Sequence, residues 1–256
     1  MLLVVAVPLA ACSPSLNGCS WQGNCTEPRD TTIFAAASLF PAFTNIGSQF
    51  QANEVKARGR VVTRLRFIGA GTQMLTAQIQ QGAHADVFAS ADTAHMATLE
   101  DAGMLSGPAR TFAHNKLEIA VAKGNPKHVQ TLADLSRAGL VVVLADPSVP
   151  AGKYAQQALS KARVTVRPAS LELQVTSVLS KIALGEADAG IVYVSDVTSN
   201  AKVSGVTIPD EQNVIADYPI AILKSATNTT AAQAFVDLVL SPDGQAILKA
   251  AGFQGA

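Results

Sequence analysis

LVVVLADPSVPAGKYAQQAL, residues 140–159, carries the reading of the fold. Leu140 to Ala145 is a continuous apolar run rich in valine. A strand with one wet face alternates polar and apolar residues, whereas an unbroken run fits a strand covered on both faces. Asp146-Pro147-Ser148 interrupts the run, and Pro150, Ala151 and Gly152 open a helix over 151–162. Proline suits a first helical turn, where its missing N–H has no partner to lose. Strand, short turn and helix make up half of a βαβ unit, which implies a parallel sheet with helices on its faces.

The alternation continues in both directions. Upstream, Thr32–Ala36 reads as a short buried strand, and Leu39, Phe43, Ile46 and Phe50 share one face of a helix over 39–51. Strands at Val61–Phe67 and Asp86–Ala89 alternate with helices at Leu75–Gln81 and from Met96 to Gly103. Lys116–Ala122 is a strand and Leu132–Arg137 a short helix. Downstream, Val175, Val178, Leu179 and Ile182 line one face of a helix over 172–185. Ala189–Tyr193 and Tyr218–Leu223 are strands, and 229–251 is helical with a break near Pro242. These are too many units for one small sheet. The reading is an α/β protein of two lobes, with mostly parallel sheets flanked by helices and a ligand cleft between. Residues 31–111 and 224–256 form the first lobe and 112–223 the second, joined by crossover strands near 111–122 and 212–223.

Composition agrees with a folded, two-lobed chain. It has 256 residues, 48% of them hydrophobic and 15% charged, with a mean hydropathy of +0.25, enough to bury a large core. Nineteen Lys and Arg balance nineteen Asp and Glu, which argues against a nucleic-acid partner. A small anion is not excluded, since backbone dipoles can hold one without cations.

The first residues, MLLVVAVPLAAC, are apolar up to Cys12 and too short to span a bilayer. They read as the apolar region of a signal peptide, although no basic residue precedes them. Leu9-Ala10-Ala11-Cys12 resembles a lipobox, which makes Cys12 a candidate lipidation site and residues 1–12 the processed segment. Residues 13–30 read as a tether, where Cys19 and Cys25 either pair as a disulfide or remain thiols.

Enzyme chemistry finds little support. His84, His95, His114 and His128 show no metal-ligand spacing, and all cysteines precede residue 31. There is no Walker loop and no Gly-x-Ser-x-Gly elbow. Asp86, Asp92, Asp146 and Asp196 fall near strand ends and read as caps and turn residues. A regulator's sensing domain is a third class, disfavoured by the lipobox and the absence of an attached DNA-binding segment.

Four strand-to-helix turns carry small or hydroxyl residues: Phe34–Leu39 with Ser38 at a helix N-cap, Gly69–Gln73 with Thr72, Val149–Gly152, and Gly190–Tyr193. Alone, Ser38 is an ordinary cap and the glycines make a plain turn. Together they mark helix starts beyond the carboxyl ends of strands, where free N–H groups favour an anion.

FAAASL (34–39), AQIQQGAHADVFASAD (77–92), DPSVPAGKYAQQAL (146–159), GIVYVSD (190–196) and YPIAIL (218–223) resemble the molybdate-binding proteins of ABC transporters. The resemblance runs from about Thr31 to Phe253. It implies a periplasmic-binding-protein-like fold of type II and an oxyanion held by hydroxyls and backbone amides. On the matching positions these are the hydroxyls of Ser38, Thr72 and Tyr193 and the amides of Ala151 and Val175. The family commonly has Ser-Ser where this chain has Thr72-Gln73, and often Pro at His84. The resemblance further implies molybdate or tungstate as ligand, with molybdenum bound only as the oxyanion, no cofactor, and no catalysis. It implies a permease and an ATPase as partners and a monomer anchored to the outer face of the cell membrane. A sulfate-type oxyanion is the alternative ligand.

Overall fold

The computed structural model describes residues 28–255. Cys12, Cys19, Cys25 and nearly all of the expected tether therefore lie outside the described residues. In chain order the elements are β1 (Arg29–Ala36), a 3-10 turn (Ala37–Leu39), α1 (Phe40–Arg58), β2 (Thr63–Ala70), α2 (Thr72–Gln80), β3 (Val87–Ala89), α3 (Thr93–Asp101) and β4 (Arg110–Ala122). A second 3-10 turn (Leu132–Ser136), β5 (Val142–Ala145), α4 (Pro150–Lys161), β6 (Ser170–Glu172), α5 (Val175–Ala183), β7 (Ala189–Tyr193), α6 (Val194–Thr198) and β8 (Val203–Thr207) follow. The chain ends with β9 (Ile215–Ile222), α7 (Thr229–Leu240), α8 (Pro242–Ala250) and β10 (Gln254–Gly255).

The strands run in the order β2-β1-β3-β9-β4-β7-β5-β6. β1 is parallel to β2 and β3, and β5 is parallel to β6 and β7, as the βα alternation demands. β9 and β4 enter antiparallel to their neighbours, because they connect the lobes instead of completing a crossover within one. β4 serves both halves. Arg110–Lys116 pairs with β9, and Leu117–Ala122 pairs with β7 and β8.

At that change of partner sits the buried Asn213. Its Oδ1 accepts from Leu117 N at 3.0 Å and Val214 N at 2.8 Å. Its Nδ2 donates to Leu117 O at 2.9 Å and Ile208 O at 3.2 Å. One amide side chain thereby stitches the loop leading into β9 onto the middle of β4.

The first half is filled by phenylalanines from separated elements. The Phe43 ring meets Phe235 at 5.5 Å and Phe112 at 5.8 Å, edge-on or tilted, as aromatic quadrupoles prefer. Burying such a ring contributes roughly 1.5–3 kcal/mol. Asp86, fully buried, accepts from Thr32 N and Thr227 N at 2.7 Å each, joining β1 to the loop before α7. In the second half α5 lies close on β7. A Cβ on Gly190 would stand 2.6 Å from Val178 Cγ1 and 2.5 Å from Val143 O, so glycine is required.

Several expectations shift. β1 begins at Arg29, so residues 29–30 belong to the sheet and not to the tether; they pair in register with Thr63 and Arg64. The helix expected over 172–185 starts at Val175, because Ser170–Glu172 pairs with β5 as an edge strand. The break at Pro242 is present, with Ser241 capping α8 through Gly244 N. β8 and α6 were not anticipated; five residues each are too few to show a period.

Candidate functional site

The four turns read from the sequence meet. β1 and β2 end on one side of the cleft, and β5 and β7, which run antiparallel to them, end on the other. One small cavity is lined by Ala36, Ala37, Ser38, Gly71, Thr72, Ala91, Val149, Pro150, Ala151, Val175 and Tyr193. Ser38, Thr72, Ala151, Val175 and Tyr193 are all on its wall, and no charged side chain is.

Helix starts explain the polarity. Thr72, Pro150 and Val175 are the first residues of α2, α4 and α5. First-turn N–H groups have no intrahelical partner and sit at the positive end of the helix dipole. Gly152 lets α4 begin so close to β5: a Cβ there would fall 2.1 Å from Asp146 O and 2.5 Å from Ala145 O.

The hydroxyls have defined roles. Ala91 N donates to Thr72 Oγ1 at 3.3 Å, which occupies a lone pair and leaves the threonine proton free to donate. Ser38 is not the N-cap the sequence suggested. It lies inside the 3-10 turn, makes no capping bond, and its Oγ is 3.0 Å from Tyr218 Oη. When the buried Tyr218 phenol donates to Ser38, the serine proton is directed elsewhere. Whichever oxygen donates, the bond holds a wall hydroxyl in place from 180 positions away. YPIAIL was read as a strand, and no local signal marks its tyrosine for this role.

Tyr193 is the outlier. Its side chain is 1% exposed and its Oη has no hydrogen-bond partner. Buried phenols are normally paired. Burial, with the nearby Tyr218, pushes the phenol well above its usual pKa, so it remains a donor at any physiological pH. Behind it, Asp196 Oδ2 accepts from Tyr193 N at 3.0 Å and fixes the end of β7. Asp196 is itself buried, and desolvation raises its pKa to about 7 against the opposing Tyr193 N–H bond.

The walls stand close together. Gln73 Nε2 donates to Leu173 O at 2.9 Å, from α2 to the residue after β6, across the cleft. A Cβ on Gly71 would lie 2.6 Å from the same Leu173 O. The cavity measures about 10 Å³, the order of a single water on that measure. A tetrahedral anion is larger, so its passage requires the walls to part.

The other acids fall where the sequence put them. Asp92 caps α3 through His95 N, and Asp146 accepts from Ser148 in the turn before α4. His84 is half exposed, 3.6 Å from Asp86 and away from the cavity wall.

The chain is similar to known proteins in sequence and in fold. The model of the bacterial extracellular solute-binding protein family matches residues 31–254. A molybdate-binding protein of Mycobacterium tuberculosis is 43% identical over 96% of this chain and 92% of its own length. The periplasmic molybdate-binding protein of Azotobacter vinelandii superposes with a TM-score of 0.73 at 22% identity, over 87% of this chain and 98% of that one. A sulfate-binding protein of M. tuberculosis gives 0.74, also at 22%, over 89% and 87%, a likeness of fold alone. By sequence and by fold, this chain belongs to the bacterial extracellular solute-binding proteins, among relatives that are molybdate-binding proteins.

Proposed function

We propose that the chain captures molybdate, and also tungstate, in the cleft between its lobes, and hands the anion to the permease and ATPase of an ABC importer. The observation that carries this reading is the buried, unpartnered Tyr193 hydroxyl on a wall with no cation. Three hydroxyls and two helix-start amides can each donate a proton to the anion, and none carries a charge. Pairing a buried dianion with Arg or Lys would desolvate charges on both sides. Neutral donors avoid that second cost. At roughly 1.5–3 kcal/mol per bond to a charged group, five give about 8–15 kcal/mol before closure and ordering costs. A Kd of 1 μM corresponds to about −8 kcal/mol, so low-micromolar or tighter binding is within reach.

Selection follows from protons. An N–H cannot accept, so the proton of hydrogen phosphate clashes where it faces the amide of Ala151 or Val175, and a hydroxyl that accepts it must turn its own proton away from the ligand. A fully ionised tetrahedral dianion satisfies every group, so sulfate, smaller than molybdate, is separated by fit and not by protons. Calorimetry is expected to show saturable binding of molybdate and tungstate, none of phosphate, and no displacement by a large excess of sulfate. Equal phosphate affinity would refute selection by protons, and displacement by sulfate would move the assignment to sulfate.

Solute-binding proteins of this family work outside the cytoplasm and are not enzymes. No described helix is long and apolar enough to cross a membrane. The lipobox-like Leu9–Cys12 supports attachment through a lipid on Cys12, with the binding lobes acting as a monomer beyond the tether.

A further inference from the structure

A second concavity lies away from the cleft. It is a groove of about 390 Å³ at the opposite ends of β1 and β2, between the end of α1 and the start of α7. Arg29, Arg58 and Arg60 line it, and none of the three makes an ion pair among the described residues. Its one acid, Glu54, is already engaged, accepting from Val62 N, Thr63 N and Thr63 Oγ1. The first turn of α7, capped by Asn228, adds a helix's positive end. Just beyond, Arg64 and Arg66 on the edge strand share the single carboxylate of Asp30 at 3.4 and 3.7 Å. Between residues 29 and 66 the basic residues exceed the acidic ones by four, in a chain whose net charge is zero. The anion site, with its uncharged wall, uses none of this charge.

We infer that this basic end seats the protein on anionic phospholipid headgroups. Three features favour a lipid surface over a free small anion. The groove is open and its guanidinium groups are exposed, unlike a built small-molecule pocket. The charge continues past the groove along the edge strand, as a planar partner requires. Arg29 is the second of the described residues, so the chain that leads to Cys12 departs from this end. The chain from Cys12 to Arg29 reaches at most roughly 60 Å when extended, which keeps the groove within range of a membrane anchored there. That last point rests on the proposed lipid anchor; the charge argument does not.

Orientation follows. The eight residues of β1 separate the basic end from the cleft by about 23 Å along the strand. Seated on headgroups by Arg29, Arg58 and Arg60, the protein turns its cleft away from the membrane, towards free solute. Delivery then requires it to tip off the lipid surface.

The test uses the full chain with Cys12→Ala, so that no lipid is attached. Cosedimentation with phosphatidylcholine vesicles is compared with vesicles that also contain phosphatidylglycerol, at low and high salt. The expected result is salt-sensitive binding to the anionic vesicles only, reduced about tenfold or more by Arg58→Glu with Arg60→Glu, since each basic residue near such a surface adds appreciably to attraction. Arg58→Gln with Arg60→Gln serves if the reversal fails to fold, and molybdate titration confirms that each variant retains its cleft. Equal binding to both vesicle types, or charge-changed variants that bind as well as the parent, overturns the proposal. Loss of molybdate binding in the parent would instead count against the cleft assignment.

Discussion

Replacing Tyr193 by Phe is expected to weaken molybdate binding about 10- to 100-fold while leaving the ligand-free protein as stable as before or more so. The two halves of this result have one cause. The phenol is buried and no protein group stands within hydrogen-bond distance of its oxygen. An unsatisfied buried hydroxyl costs about 1–3 kcal/mol, which Phe removes while keeping the ring packed edge-on against Tyr218 at 5.8 Å. A bond from that hydroxyl to a bound dianion is worth about 1.5–3 kcal/mol, which Phe forfeits. Calorimetry reads the first change and urea denaturation without ligand reads the second. Reduced stability in the ligand-free state would mean the hydroxyl already has a structural partner, and the reading of Tyr193 as a waiting donor would fail.

Asp196→Asn is expected to make the protein more stable at pH 8, by on the order of 4 kcal/mol, and to flatten its stability between about pH 4 and 7. The sign comes from burial. Desolvation raises the folded-state pKa from 3.8 to about 7, although the Tyr193 N–H bond pulls the other way. Below about pH 4 the carboxyl is protonated in both states and costs nothing. As pH rises, the unfolded chain ionises first while the folded state holds its proton, so stability falls through this window and levels off above 7. About three units at 1.36 kcal/mol each set the magnitude. Asparagine keeps an oxygen to accept from Tyr193 N, so β7 should end in the same place and molybdate affinity should hold. The measurement is urea denaturation of both proteins across pH 4 to 8; curves that run parallel would show that Asp196 stays ionised in the fold.

The parts of the site that were legible in the sequence are local. Ser38, Thr72 and Ala151 stand where a strand gives way to a helix, and small or hydroxyl residues at such junctions are a pattern in a few consecutive positions; Val175 was reached only through the family resemblance. Tyr193 was legible as the polar end of an apolar strand. What escaped depends on partners distant in sequence. Ser38 read as a cap because Ser before a helix usually is one, yet its oxygen is turned to Tyr218 on the far crossover strand. Nothing around Asn213 announces that both ends of its amide will bind β4. β6, at three residues, fell inside an expected helix because its pairing with β5, and not its own composition, makes it a strand. The wall's lack of cations, by contrast, followed directly from which residues occupy the turns.

The doubled passage between the halves, with β4 and the entry to β9 stitched by Asn213, constrains how the jaws can travel. Two neighbouring ribbons fastened at one point flex readily about a line through both and resist torsion. An opening about that line would bring Tyr193 back opposite Ser38 and Thr72 in the same alignment on closing. A guest of the wrong dimensions cannot be accommodated by sideways slip; it can only prop the jaws ajar and break the Gln73 to Leu173 clasp. The machine thus gauges its cargo by how far it shuts.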